Sequence, residues 1–195
     1  MLDFERSDFT EASTLTRSAT WTILGDATFR VLDNTRRTLT VPADHPRGDR
    51  LDAHIDVNFS HELKRFIVTR YALEVHGRPG HGIRTNDMRR VQVARQRAAL
   101  GTFALQTSYP SNGAQYVWID DWIDSPTPAA GRSRQDVVKD AAHLWCINYM
   151  LGENEMAAVA KWLGVSLSTA QRYVREARSK GIIASLLGGE PYGDD

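Results

Sequence analysis

NEMAAVAKWLGVSLSTAQRYVREARSKGII, residues 154–183, fixes how the rest of the chain is read. Met156, Val159, Ala160 and Leu163 recur at three- and four-residue intervals, which is one face of a short helix, and Gly164 supplies the left-handed residue that ends it. Val165 fills the corner. Ser166 or Ser168 can cap a second helix whose buried side is Ala170, Tyr173, Val174 and Ala177, leaving Gln171, Arg172, Arg175 and Arg178 towards water. A turn this short needs small residues where the helices cross, and Ala160 and Ala170 are spaced for that contact.

The run Ala158 to Ile183, above all GVSLSTAQRYVREARSKGII, resembles the helix-turn-helix of bacterial DNA-binding regulators. The shared form is GVS-x-ST, then an Arg-rich helix and a Gly-hydrophobic-hydrophobic step. The C-terminal segment also resembles uncharacterised actinobacterial and actinophage helix-turn-helix proteins, in which a β-rich half comes first. The resemblance implies a motif and assigns no target.

The residue types on the second helix suit that implication independently. A DNA major groove admits one α-helix and presents acceptors to Arg at guanine and an amide-reading edge at adenine. Ser168, Gln171 and Arg172 are the candidate base readers. Lys161, Ser166, Thr169, Arg175 and Arg178 are the candidate phosphate contacts, those at the helix start helped by its N-terminus. Arg178 and Lys180 could equally be cations complementing the helix C-terminus.

Outside this stretch, composition bounds the answer. The 195 residues suffice for two small domains, and net charge is zero, so a nucleic-acid surface must come from segregated charge. Segregation is visible. Positive charge gathers at Arg84, Arg89, Arg90, Arg95 and Arg97 and again at Arg172, Arg175, Arg178 and Lys180, while acid gathers at both termini and at Asp120, Asp121 and Asp124. The basic run 84–97 reads more simply as a solvated helix face than as a second DNA surface. The single cysteine, Cys146, excludes an internal disulfide and sits in an apolar run. An acidic N-terminus without an apolar segment argues against a signal peptide, and no stretch approaches the roughly eighteen apolar residues of a membrane helix. A cytoplasmic protein is expected.

Along the chain, residues 1–20 read as a flexible N-terminus and 21–106 as a β-rich α+β domain. Ala27 to Leu32 and Thr35 to Val41 are β-prone runs that Asp33-Asn34 would join as a hairpin. Leu51 to Phe59 is a further strand, and Lys64 to His76 another, with Ile67, Thr69, Tyr71, Leu73 and Val75 alternating on one face. A helix capped by Thr85 and beginning near Asn86 follows, reaching about Phe103. Residues 107–131, rich in Pro, Ser, Gly and Asn around the apolar island YVWIDDWID, read as a linker. Residues 132–187 read as a tri-helical helix-turn-helix domain without a full wing, its supporting helix running from Gln135 to Leu151 and ending at Gly152; 188–195 is an acidic tail.

The expectation is an α+β protein: an N-terminal mainly antiparallel β domain with one or two helices, then a C-terminal helical domain. Its function would be sequence-specific binding of double-stranded DNA as a homodimeric transcriptional regulator, with a protein or small-molecule effector possible at the N-terminal domain. No membrane partner is expected. Histidines 45, 54, 61, 76 and 81, with Asp52, Asp56 and Glu62, offer no HExxH-like spacing, and no phosphate-cradling Gly motif or nucleophile elbow occurs. No metal, cofactor or catalytic residue is therefore assigned. The same motif would also serve a DNA recombination or packaging accessory protein of a mobile element, an enzyme with a DNA-targeting domain, or a protein-interaction module.

Overall fold

Alternating branched and polar residues build two antiparallel sheets, seen in a computed structural model that describes residues 14–17, 20–42, 50–76, 93–108, 115–119, 123 and 126–189. Strands β1 (Thr14–Arg17), β4 (Asn34–Pro42), β5 (Arg50–Ser60) and β6 (Arg65–His76) form the first sheet, in the order β1-β4-β5-β6. The second runs β2-β3-β7-β8, from β2 (Trp21–Leu24), β3 (Phe29–Leu32), β7 (Leu105–Ser108) and β8 (Tyr116–Trp118). Helix α1 spans Val93–Thr102, and α2 (Arg134–Leu151), α3 (Glu155–Leu163), α4 (Leu167–Ser179) and α5 (Ile182–Leu187) follow. The class is α+β with antiparallel sheets, and among the described residues no helix is long and apolar enough to cross a membrane.

Several expectations need correction. Thr14–Arg17, within the stretch expected to be a flexible terminus, is a strand paired with Thr35–Thr38 of β4. Asp33-Asn34 makes no hairpin. The strand before it, β3, is already paired on both edges, with β2 and with β7, so the chain leaves at Asp33 and enters the other sheet. Val31 and Leu32 are both buried although adjacent, as a strand that switches sheets requires. The real hairpin is β2-β3, turning through Gly25–Thr28 with Ala27 at φ 66°.

The strand at 65–76 forms, but its inward face changes midway. A bulge between Asp56 and Val57 of β5 leaves Thr69 of β6 unpaired, so Phe66 and Val68 point inward before it and Tyr71 and Leu73 after it. A single alternation from Ile67 to Val75 therefore does not hold. The proposed start of α1 near Asn86 lies outside the described residues; Val93–Thr102 is helical as expected.

The 107–131 segment, expected as a linker whose apolar island would dock on a neighbouring surface, is packed against the fold where it is described. It contains the end of β7 and all of β8, Ile119 is fully buried, and the Ala129 amide donates to the Leu163 carbonyl at 2.9 Å. Among its described residues, Ala130 and Gly131 form the turn that leads into α2. The two expected domains consequently share one core, with Phe29, Ile55 and Phe66 of the sheets in the same cluster as Trp145, Leu163 and Val174 of the helices.

Helix α2 is the centre of that core. Fourteen of its residues from Val137 onward are buried, on all sides, because α1, β6, α3, α4 and α5 all pack on it. Ser133 caps its start by accepting from the Asp136 amide, and Gly152 ends it at φ 69° with its carbonyl accepting from Arg97 of α1 at 2.9 Å. At the sheet side, His143 meets the Thr107 hydroxyl at 2.8 Å and the Phe29 ring at 4.7 Å between centroids. Burial pushes the His143 pKa down to about 3, so the ring is neutral. Cys146 is buried in the same helix, as its apolar surroundings predict. A short fourth helix, α5, stands where a tri-helical unit would have ended. Its Ser185 carbonyl accepts from the Asp26 amide of the β2-β3 turn at 3.1 Å, tying the last helix to the second sheet.

Candidate nucleic-acid interface

Local chemistry sets the pair α3 and α4. Asn154 caps α3 through the Ala157 amide at 3.1 Å. Gly164, at φ 63°, ends it, and the Val165 amide donates back to Ala160 at 3.0 Å, the pattern of a left-handed C-terminal cap. Ser166 then caps α4: its Oγ accepts from the Thr169 amide at 3.2 Å and donates to Thr169 Oγ1 at 2.9 Å, with Ser168 Oγ 3.0 Å away. Between the two alternatives the sequence left open, Ser166 is the cap.

Helix α4 is two-sided. Ala170, Val174 and Ala177 are buried with Tyr173 beside them, as the periodicity predicts. Ser168, Gln171, Arg172 and Arg175 lie at i, i+3, i+4 and i+7, share the opposite face and are exposed. Lys161, in the last turn of α3, is exposed too. Thr169 is half-buried at the flank, occupied with Ser166. Among the described residues, Lys161, Gln171 and Arg175 have no ion pair or side-chain hydrogen bond; Arg172 has only an aromatic neighbour, its Cζ 5.7 Å from the Tyr173 ring centre.

Arg178 departs from this row. The sequence turns it to water, but its guanidinium sits 4.7 Å over the ring of buried Trp145, which in turn stacks on Tyr149. The position borders the buried side of α4, and the π face of an indole holds a cation there.

One group was missed. Glu176 Oε2 accepts from Arg134 Nε and Nη2 at 3.0 and 2.7 Å, and its Oε1 from Lys180 Nζ at 2.7 Å. Those bonds, Arg134 first and then Lys180, pull the Glu176 carboxyl down to about 2. The Glu176–Lys180 spacing of four was legible in the sequence. Arg134, forty-two residues away on α2, carries no local signal of its role. Lys180 is therefore engaged with a carboxylate.

The tempting acids and histidines of the first sheet do not converge. Asp56 takes Arg36 Nε and Nη2 at 2.6 and 3.0 Å, and Arg36 holds its carboxyl below the usual range. His54 meets Thr38 at 3.1 Å, His61 meets Asp33 at 3.0 Å, and His76 meets Asp52 at 3.0 Å. Among the described residues no three His, Cys, Asp or Glu side chains group as metal ligands. His45, His81, Arg84, Arg89, Arg90 and the acidic tail lie outside the described residues.

No family model matches the chain, and no curated protein or solved structure is significantly similar to it. The functional reading rests on the residues themselves.

Proposed function

We propose that this protein binds double-stranded DNA sequence-specifically, as a homodimeric transcriptional regulator, with α3 and α4 acting as a helix-turn-helix. The observation that carries the reading is the exposed row Ser168, Gln171, Arg172 and Arg175, with Lys161 beside it, on a helix whose other face is fixed in the core. Hydroxyl, amide and guanidinium groups at that spacing match the donor and acceptor edges of a major groove. Gln171 and Arg172 read bases, and Ser168 reads at the start of the helix. Lys161 and Arg175 hold phosphates, joined by Ser166 and Thr169 at the helix N-terminus. Arg178, lying over Trp145, serves to seat α4 and drops out of the phosphate set.

One recognition helix covers few base pairs, so a dimer on a two-fold related site supplies the remaining specificity. The β part, sharing its core with α2, is the region available for pairing subunits or for an effector. Selection of bound fragments from random DNA tests the proposal directly. The expected result is an inverted repeat; recovery of no enriched sequence, with no retention of DNA at low salt, overturns it.

A further inference from the structure

Among the described residues, large apolar side chains that stay in water are few. Ile23, Phe103 and Leu167 are exposed, Leu167 at 51%. Leu167 alone of these belongs to the α3-α4 unit. It is the first residue of α4, directly after the Ser166 cap and beside the hydroxyls of Ser168 and Thr169. Nothing in the helix requires an isobutyl group there, since the first helical position tolerates most residue types and this one adds little to the core. Four residues on, across one turn, stands exposed Gln171.

The chemistry of the groove narrows what such a side chain can meet. Along a major-groove edge the largest apolar group is the C5-methyl of thymine, where cytosine presents only a C5–H, and most other groups are hydrogen-bond donors or acceptors. A leucine pressed against guanine, adenine or cytosine edges would take polar groups out of water with no partner in return. Against thymine it finds an apolar match. We infer that Leu167 is a specificity-determining residue that reads a thymine methyl, in the base pair read by Gln171 or in one next to it. The inference rests on the proposed DNA-binding reading and deepens it: an amide that suits adenine and a leucine that suits thymine, one turn apart, bias each half-site towards A·T pairs at the start of α4. Leu167 discriminates both ways, attracting thymine and penalising the other bases.

The test uses the full chain and the DNA recovered by selection. Each thymine of the bound site is replaced in turn by deoxyuridine, which removes the methyl and keeps all pairing groups. One position per half-site should weaken binding about four-fold, the worth of one buried methyl. The Leu167→Ala protein, whose thermal unfolding should match the parent because the side chain is exposed, should bind thymine and deoxyuridine sites alike. A selected half-site without thymine at these pairs overturns the inference, as does a parent protein indifferent to every replacement or a Leu167→Ala protein with the parent's pattern. In each of those cases DNA is still bound, so the proposed function survives. Failure to select any site removes both.

Discussion

The polar face of the first sheet and the outward face of α4 are both rich in charge, and they dispose of it in opposite ways. On the sheet, Asp56 and Asp52 are buried to within a tenth of full burial, and each has a cation or histidine in contact, Arg36 for the first and His76 for the second. On α4 and the end of α3, Lys161 and Arg175 stand in water with no carboxylate near them among the described residues, and Arg172 has only Tyr173. The difference follows from solvation. A carboxylate withdrawn from water must find its partner inside the chain, whereas an exposed guanidinium costs nothing until a partner arrives.

The salt dependence of binding tests that distinction with the largest expected effect. Lys161 and Arg175 give two phosphate-holding cations per subunit, so a dimer neutralises about four phosphates, and log affinity against log salt should slope at roughly −4. Between about 50 and 200 mM salt, affinity should fall about a hundred-fold. Arg36→Ala, which disturbs the sheet, should lower the melting temperature and leave the slope unchanged. A slope near zero in the parent protein would mean that the α4 face does not meet phosphates.

The two regions also differ in how far the sequence revealed them. The α3-α4 pair was readable because its determinants are local: Gly164 at the left-handed position, Ser166 at the cap, and small residues at helical spacing. The sheets were not, because their determinants are distant. Asp33-Asn34 has the chemistry of a hairpin turn, but the strand before it had its edges taken by Trp21–Leu24 and Leu105–Thr107. Ala27 sits at positive φ, where no sequence rule would look for alanine. Thr69 is an ordinary strand residue whose bulge appears only in the register with Asp56 and Val57. In the candidate site, the exposed row on α4 was foreseen, while the inward turn of Arg178 and the clamp from Arg134 depend on α2 lying alongside. His143 was not singled out, because nothing local marks a helix histidine over which a sheet will close.

His143 marks the joint between the two regions and gives the second prediction. Its pKa is about 3 in the folded chain against 6.5 for a free histidine, so below about pH 6.5 the unfolded chain binds a proton that the folded one refuses. Its contribution to stability is therefore complete above pH 6.5 and is lost as pH falls towards 3. The loss should reach about 1.4 kcal/mol per pH unit. Glu176 and Asp56, whose folded pKa values also lie below the ordinary carboxylate range, lose their contributions only further down, as pH falls through that range. Denaturant unfolding of the parent and of His143→Gln between pH 6.5 and 4.5 isolates the histidine. Parallel curves would show that the ring becomes charged in the folded protein.

Within the α4 face the comparison can be sharpened between neighbours. Arg172→Ala should cost about 1 to 3 kcal/mol of binding and relax preference at one base-pair position. Arg175→Ala should weaken every sequence alike and make the salt slope shallower by about one per subunit. Binding profiles on a library of single-base variants separate the two outcomes, and an unchanged base preference in Arg172→Ala would remove it from the readers.

The smallest expected effect comes from the one place where both kinds of charge meet. Glu176 lies on the flank of α4, and its carboxylate ties down Arg134 and Lys180, cations that would otherwise resemble Arg175. Arg134 and Lys180 are more than half exposed and only Glu176 is largely covered, so the clamp adds little to stability and acts mainly on the local field. Glu176→Gln removes the negative charge and releases both cations while keeping the shape of the side chain. DNA affinity should then rise by about two- to five-fold at low salt, with base preference unchanged, and the gain should fade as salt shortens the range of the released charges. Titrations of one selected site at two salt concentrations measure it. Equal affinity for parent and variant at low salt would place Arg134 and Lys180 beyond reach of the DNA backbone, leaving Glu176 as a bond that only aligns α4 on α2.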